Sequence, residues 1–327
     1  EAPPSKSVSH RVLIGEALAG GESVVEGVLE SKDPERTRAV LSAAGAVFEP
    51  LGPGAYRVRG VGGALTGAGP GVEPVSCDVH ESGTTCRLLT ALLASGRGRF
   101  RIHGAPRMHR RPLGGLTGPL TELGASFRFE EREGYPPCVL EASGLNGGTV
   151  GIGLDESSQY LSGLLLAAPQ ARAPLTIEIT GRQVVSWPYV GLTLQTMRDF
   201  GIRFDVSERA PEAGPGAPWR AVDWHSVKAA RPGGVRFRVR PSTWRPGRYT
   251  VEGDWSGASY LLAAGILGER PVAVSGLRPD TLQGDRALLD IVRSMGADVE
   301  VEPGVERVLR GTARPSTLRG VDVDMSS

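Results

Sequence analysis

The sequence predicts an α/β protein assembled from copies of one folding unit. Two observations carry that reading. Four segments pair a polar, serine- or glycine-rich entry with an apolar helical run: SKSVSHRVLIGEALA, ESGTTCRLLTALLAS, ESSQYLSGLLLAAP and DWSGASYLLAAGIL. Each is followed, 38 to 44 residues after its marker serine (Ser7, Ser82, Ser157, Ser256), by an amphipathic helix that ends in glycine and runs into a strand: LSAAGAVFEP, LTELGASFRFE, MRDFGIRFDV and VRSMGADVEV. Self-similarity at a fixed offset is the mark of a repeated supersecondary unit.

Within a unit, the first helix is nearly all apolar and is expected to be buried on most sides. The second carries charge on one face, as in TGPLTELGA and LLDIVRSMGA, and is expected to face water. Gly45, Gly124, Gly201 and Gly296 fit the position just past a helix end, where a left-handed backbone costs glycine nothing. Short β runs such as FRIHG, TIEIT and GVRFRVR lie between the helices. Residues 208–234, rich in Pro and Gly, read as a long loop or surface insertion. Three units fill 5–243, read as the first domain; 244–327 with 1–4 form a second of about one and a half units. The chain stops at VDVDMSS, at what reads as the start of a fifth unit, so the second domain is expected to be incomplete and the sequence cut short.

A chain of 327 residues exceeds one ordinary core. With 40% apolar residues, 22% charged and a net charge of +1, no global field calls for nucleic acid. No apolar run has the length of a membrane span, and no secretory leader is evident. Cys77, Cys86 and Cys138 lack metal-ligand or redox spacing and read as small core residues in a reducing cytoplasm. The five histidines show no HExxH-like spacing, so no metal is expected.

Helices repeated by rotation bring their N-termini together, and each offers free N–H groups and a positive dipole end. Ser5, Lys6, Ser7 and Arg11 start the first; Ser82, Gly83, Thr84, Thr85 and Arg87 the second; Ser157, Ser158 and Gln159 the third. Hydroxyls alone would be N-caps, the better reading for Ser157 or Ser256 taken singly. Lys6, Arg11 and Arg87 add what phosphate and carboxylate need, a point charge and planar forks. GAPRMHRRP, 104–112, adds a cationic run from which at least one of Arg107 and Arg111 is expected to point inward. The pattern predicts a pocket for a multiply anionic small molecule. No Walker-type or GxGxxG motif argues for a nucleotide.

The motifs PSKSVSHR, SGTTCRLL, GAPRMHRRP, SSQYLSGLLLAAP, SWPY (186–189), YTVEGDWSGASYLLAAG (249–265) and LQGD (282–285) together closely resemble the EPSP synthase (5-enolpyruvylshikimate-3-phosphate synthase) family. The resemblance implies two domains of repeated βαβαββ units, the inside-out α/β barrel of the enolpyruvyl transferases. It implies transfer of the carboxyvinyl group of phosphoenolpyruvate to the 5-hydroxyl of shikimate 3-phosphate, releasing phosphate by addition and elimination without a cofactor. It further implies a cytoplasmic monomer of the shikimate pathway of aromatic amino acid biosynthesis, and a glyphosate target. By position, Lys6 would touch both substrates, Ser7 and Arg11 the shikimate carboxylate, and Ser157, Ser158 and Ser186 its phosphate. Gln159 and Tyr189 would pack on or bond to the ring, and Gly83, Thr84, Arg107 and Gln159 would line the phosphoenolpyruvate pocket. Lys6 and Gln159 are the catalytic candidates, and Arg87 is expected to hold its loop.

Several positions depart from the family. Glu81 stands where Asn is usual; pointing inward, it would weaken phosphoenolpyruvate and glyphosate binding unless paired with Arg87 or Arg107. His10 replaces a usual Asn, and Trp187 a usual polar residue. The family's catalytic Asp follows the VDVDM stretch, so Asp324 is not that acid, and this chain is expected to lack the C-terminal catalytic residues. Two alternatives stand beside this reading. One is a truncated, non-catalytic anion-binding relative. The other is UDP-N-acetylglucosamine enolpyruvyl transferase, which needs a cysteine in the loop where GAPRMHRRP has none.

Overall fold

A computed structural model of the chain describes residues 1–210, 216–278, 280–303, 309–313 and 318–323. The first unit comprises α1 (Lys6–Leu18), β1 (Gly20–Glu26), α2 (Lys32–Ala43), β2 (Val47–Gly52) and β3 (Ala55–Val61). The second has β4 (Val75–Asp78), α3 (Gly83–Ser95), β5 (Arg97–His103), α4 (Gly114–Glu122), β6 (Ser126–Phe129) and β7 (Cys138–Ser143). The third has β8 (Gly148–Leu154), α5 (Gln159–Ala167), β9 (Leu175–Val184), α6 (Pro188–Asp199), β10 (Phe204–Glu208), β11 (Arg220–Val222) and β12 (Val235–Val239). There follow β13 (Arg248–Thr250), α7 (Trp255–Leu267), β14 (Val272–Leu277), α8 (Leu288–Ser294), β15 (Val299–Pro303) and β16 (Leu309–Ala313).

The repeat is visible in the hydrogen-bond ladders. In the second unit β4 lies parallel to β5, β5 pairs antiparallel with β7, and β7 with β6. The third repeats this order as β8, β9, β12 and β10, with β11 added on the outer edge from within the 208–234 segment. The first unit has no leading strand of its own, and β13 supplies it, pairing parallel with β1 through Val24–Arg248. Its sheet therefore reaches past residue 243. In the fourth sheet β14, β16 and β15 pair antiparallel in that order. Residues 321–323 carry no regular structure, and Asp324 lies outside the described residues, as do 211–215 of the loop segment.

All four amphipathic helices end alike. Gly45, Gly124, Gly201 and Gly296 have φ of +114°, +106°, +78° and +97°. At each, the glycine N–H and the next N–H reach back to two carbonyls of the last turn, as in Gly45 to Ser42 and Ala46 to Leu41. That double bond pattern satisfies carbonyls the helix leaves open.

The inner helices α1, α3 and α5 are buried along most of their length. α1 packs on α2 and α6, and α3 on α5 and α2, so the charged ends of three units are drawn together. α7 differs: Tyr260, Leu261 and Leu267 are exposed on one face, 79%, 41% and 75%. It is at least as apolar as the other inner helices, but its neighbours leave this face uncovered. Two apolar clusters result, one running from Val12 to Val251 and one around Trp255, Leu262, Ile266 and Leu289. Ala2 belongs to the second, tied by Ala2 N–H to the Ser275 carbonyl at 2.8 Å. No described helix is long and apolar enough to cross a membrane.

Candidate functional site

At the start of α1, the Lys6 ammonium lies 3.5 Å from the Asp33 carboxylate and is half exposed. One turn on, Arg11 enters the core with 2% exposure. Its guanidinium donates to the Ser7 carbonyl (2.8 Å), the Tyr189 carbonyl (2.9 Å), Thr193 Oγ1 (2.9 Å) and, more weakly, Ser162 Oγ (3.5 Å). None of these acceptors is charged. Burial lowers the Arg11 pKa to about 10, as expected of a cation desolvated without a counter-ion. Arg11 thus pins α1 to the start of α6. Ser7, Ser186 and Tyr189 line one cavity of about 260 Å³, whose opposite wall includes Asp254, Ser256 and Asp285 from the fourth unit.

The starts of α3 and α5 meet directly. Gln159 Nε2 donates to Thr84 Oγ1 (2.9 Å), and Arg87 Nη1 donates to Gln159 Oε1 (3.0 Å) and Ser157 Oγ (3.4 Å). Ser157 Oγ also accepts the Gln159 N–H at 3.2 Å, so it bonds the first N–H of α5 from one residue ahead of the N-cap Ser158. Ser158 is buried beside it without a capping bond. The cap reading fails for Ser256: Asp254 caps α7 through the Gly257 N–H at 2.8 Å, and Ser256 donates instead to Asp285 at 2.7 Å. Both residues stand within cap range, and a carboxylate accepts a bond at a helix start more strongly than a hydroxyl.

Among the described residues only two non-glycine residues have positive φ, His80 (48°) and Ser186 (56°). His80 lies just ahead of the α3 cap Ser82, and Ser186 just ahead of α6. Backbone held in this sparsely populated region costs energy and gathers where side chains must be aimed.

The cationic loop divides its labour in a way the sequence left open. Met108 is buried and anchors it, Arg107 is exposed, and Arg111 lies over the α3 start. A β-carbon added at Gly83 would sit 2.5 Å from Arg111 Cζ. Desolvation, then Arg87 and Arg107, depress the Arg111 pKa, and Asp33 opposes them. Among the described residues Arg87, Arg107 and Arg111 form no ion pair, and neither does Glu81, which is exposed.

His10, read as a tolerated replacement, closes a buried relay: His10 Nδ1 to Thr37 Oγ1 (2.7 Å), Thr37 to Thr85 (2.8 Å), and Thr85 to the cap Ser82 (2.7 Å). Burial, then Arg11 and Lys6, push its pKa down to about 3. Thr37 and Thr85 sit in different units, and only the folded chain joins them. Trp187 is buried and donates its indole N–H to the Val227 carbonyl at 2.9 Å, holding the 224–227 turn. Cys77, Cys86 and Cys138 are buried and unpaired, with thiols pushed up to about 12, 11 and 12 by burial. They are inert packing groups.

Fold and site together define a repeat-built α/β protein in which the starts of α3 and α5 meet and Arg87, Arg107 and Arg111 lie close enough to act on one another. The family model described as EPSP synthase (3-phosphoshikimate 1-carboxyvinyltransferase) matches residues 1–218 and 226–327, and the chain belongs to that family. It is 38% identical over 302 residues to the 3-phosphoshikimate 1-carboxyvinyltransferase of Ralstonia nicotianae, covering 91% of this chain and 63% of that protein. It is 36% identical over 328 residues to the protein of the same name from Shewanella denitrificans, covering 99% and 68%. An EPSP synthase structure from Acinetobacter baumannii superposes with a TM-score of 0.75 at 22% identity, over 99% of this chain and 66% of that one, which shows the shared fold. The chain thus spans about two thirds of the length of these relatives.

Proposed function

We propose that this chain carries the substrate-holding part of a carboxyvinyl transferase acting on phosphoenolpyruvate and shikimate 3-phosphate. The observation that carries the reading is the gathering of Arg87, Arg107 and Arg111, without an ion pair among the described residues, at the helix starts, a positive field that Asp33 offsets only in part and that an anionic ligand would neutralise. In this proposal Ser7 and Arg11 hold the shikimate carboxylate, Ser157, Ser158 and Ser186 the phosphate, and Tyr189 the ring. Gly83, Thr84, Arg107 and Gln159 hold phosphoenolpyruvate, Lys6 touches both substrates, and Arg111 joins the set from its place over Gly83. The 5-hydroxyl gives up its proton as its oxygen bonds to C2 of phosphoenolpyruvate, while C3 gains a proton and becomes a methyl group. The adduct then loses a methyl proton as the C2–O bond to phosphate breaks, releasing phosphate and restoring the double bond. Fixed cations lower the cost of bringing two anions together and of the charge that develops on the way. Glu81, exposed and clear of these cations, does not oppose them at contact range.

The names of the relatives and the absence of cysteine in loop 104–112 weigh against the UDP-N-acetylglucosamine enzyme. The division into 5–243 and 244–327 with 1–4 belongs to the same proposal; the two apolar clusters support it, and the pairing of β13 with β1 argues for a seam nearer residue 252. A cytoplasmic monomer is proposed too, with free buried thiols in favour of a reducing compartment. Titration calorimetry tests the reading. Shikimate 3-phosphate should bind the chain at one site and shikimate far more weakly; equal heats for the two would refute the phosphate assignment.

A further inference from the structure

We propose that Arg87 is a positioning residue that fixes which way the Gln159 amide faces, so that its free N–H is kept on the Nε2 side as a donor to a ligand. The inference deepens the proposed function and rests on that reading of the site. A glutamine amide presents a carbonyl on one side and an NH2 on the other. Its terminal torsion is broad, so an unconstrained amide offers either face. Here Arg87 makes the choice, and two further bonds hold the side chain in place. Arg87 Nη1 donates to Oε1 at 3.0 Å, which occupies the carbonyl with a charged donor. Thr84 Oγ1 takes one hydrogen of Nε2 at 2.9 Å. Ser157, itself 3.4 Å from Arg87 Nη1, accepts the Gln159 backbone N–H at 3.2 Å and holds the stem. One amide hydrogen remains. A ligand meeting Gln159 on its Nε2 side must therefore bring an acceptor oxygen, as a carboxylate, phosphate or ether does.

Arg87 is placed for this task. It stands on α3, one turn beyond Thr84, with its guanidinium 5.4 Å from the Tyr160 ring centre. Among the described residues no carboxylate pairs with it, so its charge is spent on a neutral amide. A charge-assisted bond polarises that amide and makes its remaining N–H a better donor. An arginine that merely held its loop would have no need to address the face of Gln159.

Two measurements test this. Without any ligand, the Gln159 side-chain amide signals in a nitrogen–proton NMR spectrum, assigned by their loss in Gln159→Ala, should shift in Arg87→Lys, with circular dichroism confirming the fold. Unmoved signals would overturn the inference. With phosphoenolpyruvate and shikimate 3-phosphate as calorimetric probes, Arg87→Ala and Gln159→Ala should each weaken binding by about tenfold or more. The double variant should be no weaker than Gln159→Ala alone within about threefold, because the two act as one unit. Losses that multiply would overturn the positioning role while leaving the site reading intact. A parent chain that binds neither probe would sink the site reading, and the NMR shift would still decide the geometry. Millimolar guanidinium should restore part of the binding lost in Arg87→Ala and none of that lost in Gln159→Ala.

Discussion

Replacing His10 by Asn should make the protein more resistant to mild acid. The imidazole is 0% exposed, bonds Thr37 through Nδ1 and has no partner at Nε2 among the described residues. A protonated ring would carry a buried N–H without an acceptor, next to Arg11 and Lys6. Its folded pKa, about 3, lies below the ordinary 6.5, so the unfolded chain binds more protons between those values. Stability from the neutral ring is therefore present above pH 6.5 and is lost as pH falls toward 3. At about 1.4 kcal/mol per pH unit, the full loss is about 5 kcal/mol at most, and about 2 kcal/mol has gone by pH 5. Asn keeps a hydrogen-bonding group for Thr37 but cannot titrate, so its own packing cost is independent of pH. Urea unfolding of both proteins at pH 7.5 and 5.0 should show the variant gaining about 2 kcal/mol on the parent, or about 3 °C in melting temperature for a chain of this length. Parallel pH profiles would refute the argument. The comparison must be between variant and parent, because Glu16 titrates with the opposite sign and masks His10 in the parent alone.

Glu16 is buried, and burial raises its pKa from 4.5 to about 7, against a Ser23 hydrogen bond that pulls it down. Its folded state favours the proton, so stability is full below pH 4.5 and falls as pH rises through 7; Glu16→Gln should stabilise by up to about 3 kcal/mol at pH 8 and hardly at pH 4.5. Equal effects at the two pH values in urea unfolding would contradict this. Gly83→Ala should leave stability within about 1 kcal/mol, since only the tip of Arg111 must yield, yet weaken phosphoenolpyruvate binding on the order of tenfold by displacing that guanidinium. Unchanged affinity in calorimetry would remove Arg111 from the site. At Gly253 a β-carbon would sit 2.6 Å from the Gly276 carbonyl oxygen and 2.9 Å from Ala2 Cβ. Neither backbone can swing away, so Gly253→Ala should cost about 1–3 kcal/mol in denaturant unfolding; a loss below about 0.5 kcal/mol would show that the N-terminal strap is slack.

Local chemistry was readable from sequence wherever one short stretch decides the outcome. The helix-ending glycines are the clearest case, because the need for positive φ is met within two residues. The polar entries to the inner helices, and hence their meeting at one end, followed from the repeat. What stayed hidden depends on distant pieces. Nothing near Arg248 says that it joins β1 beside Val24, across most of the chain. The exposed Tyr260, Leu261 and Leu267 of α7 are as apolar as the residues that α5 buries, since burial is set by neighbours. Arg107 and Arg111 share one cationic run, and only the anchoring of Met108 determines which lies over Gly83. Ser186 bears positive φ with no marker in its residue type. The His10 relay needed Thr37 and Thr85 from two other helices.

A crystal structure of the chain with shikimate 3-phosphate bears most directly on the claim that the inner helices aim their starts at one anion cleft. The phosphate should lie within hydrogen-bonding distance of Ser157 and Ser158, and the carboxylate on the side of Ser7 and Arg11. A ligand seated away from these helix starts, or bound with its phosphate in solvent, would contradict the account.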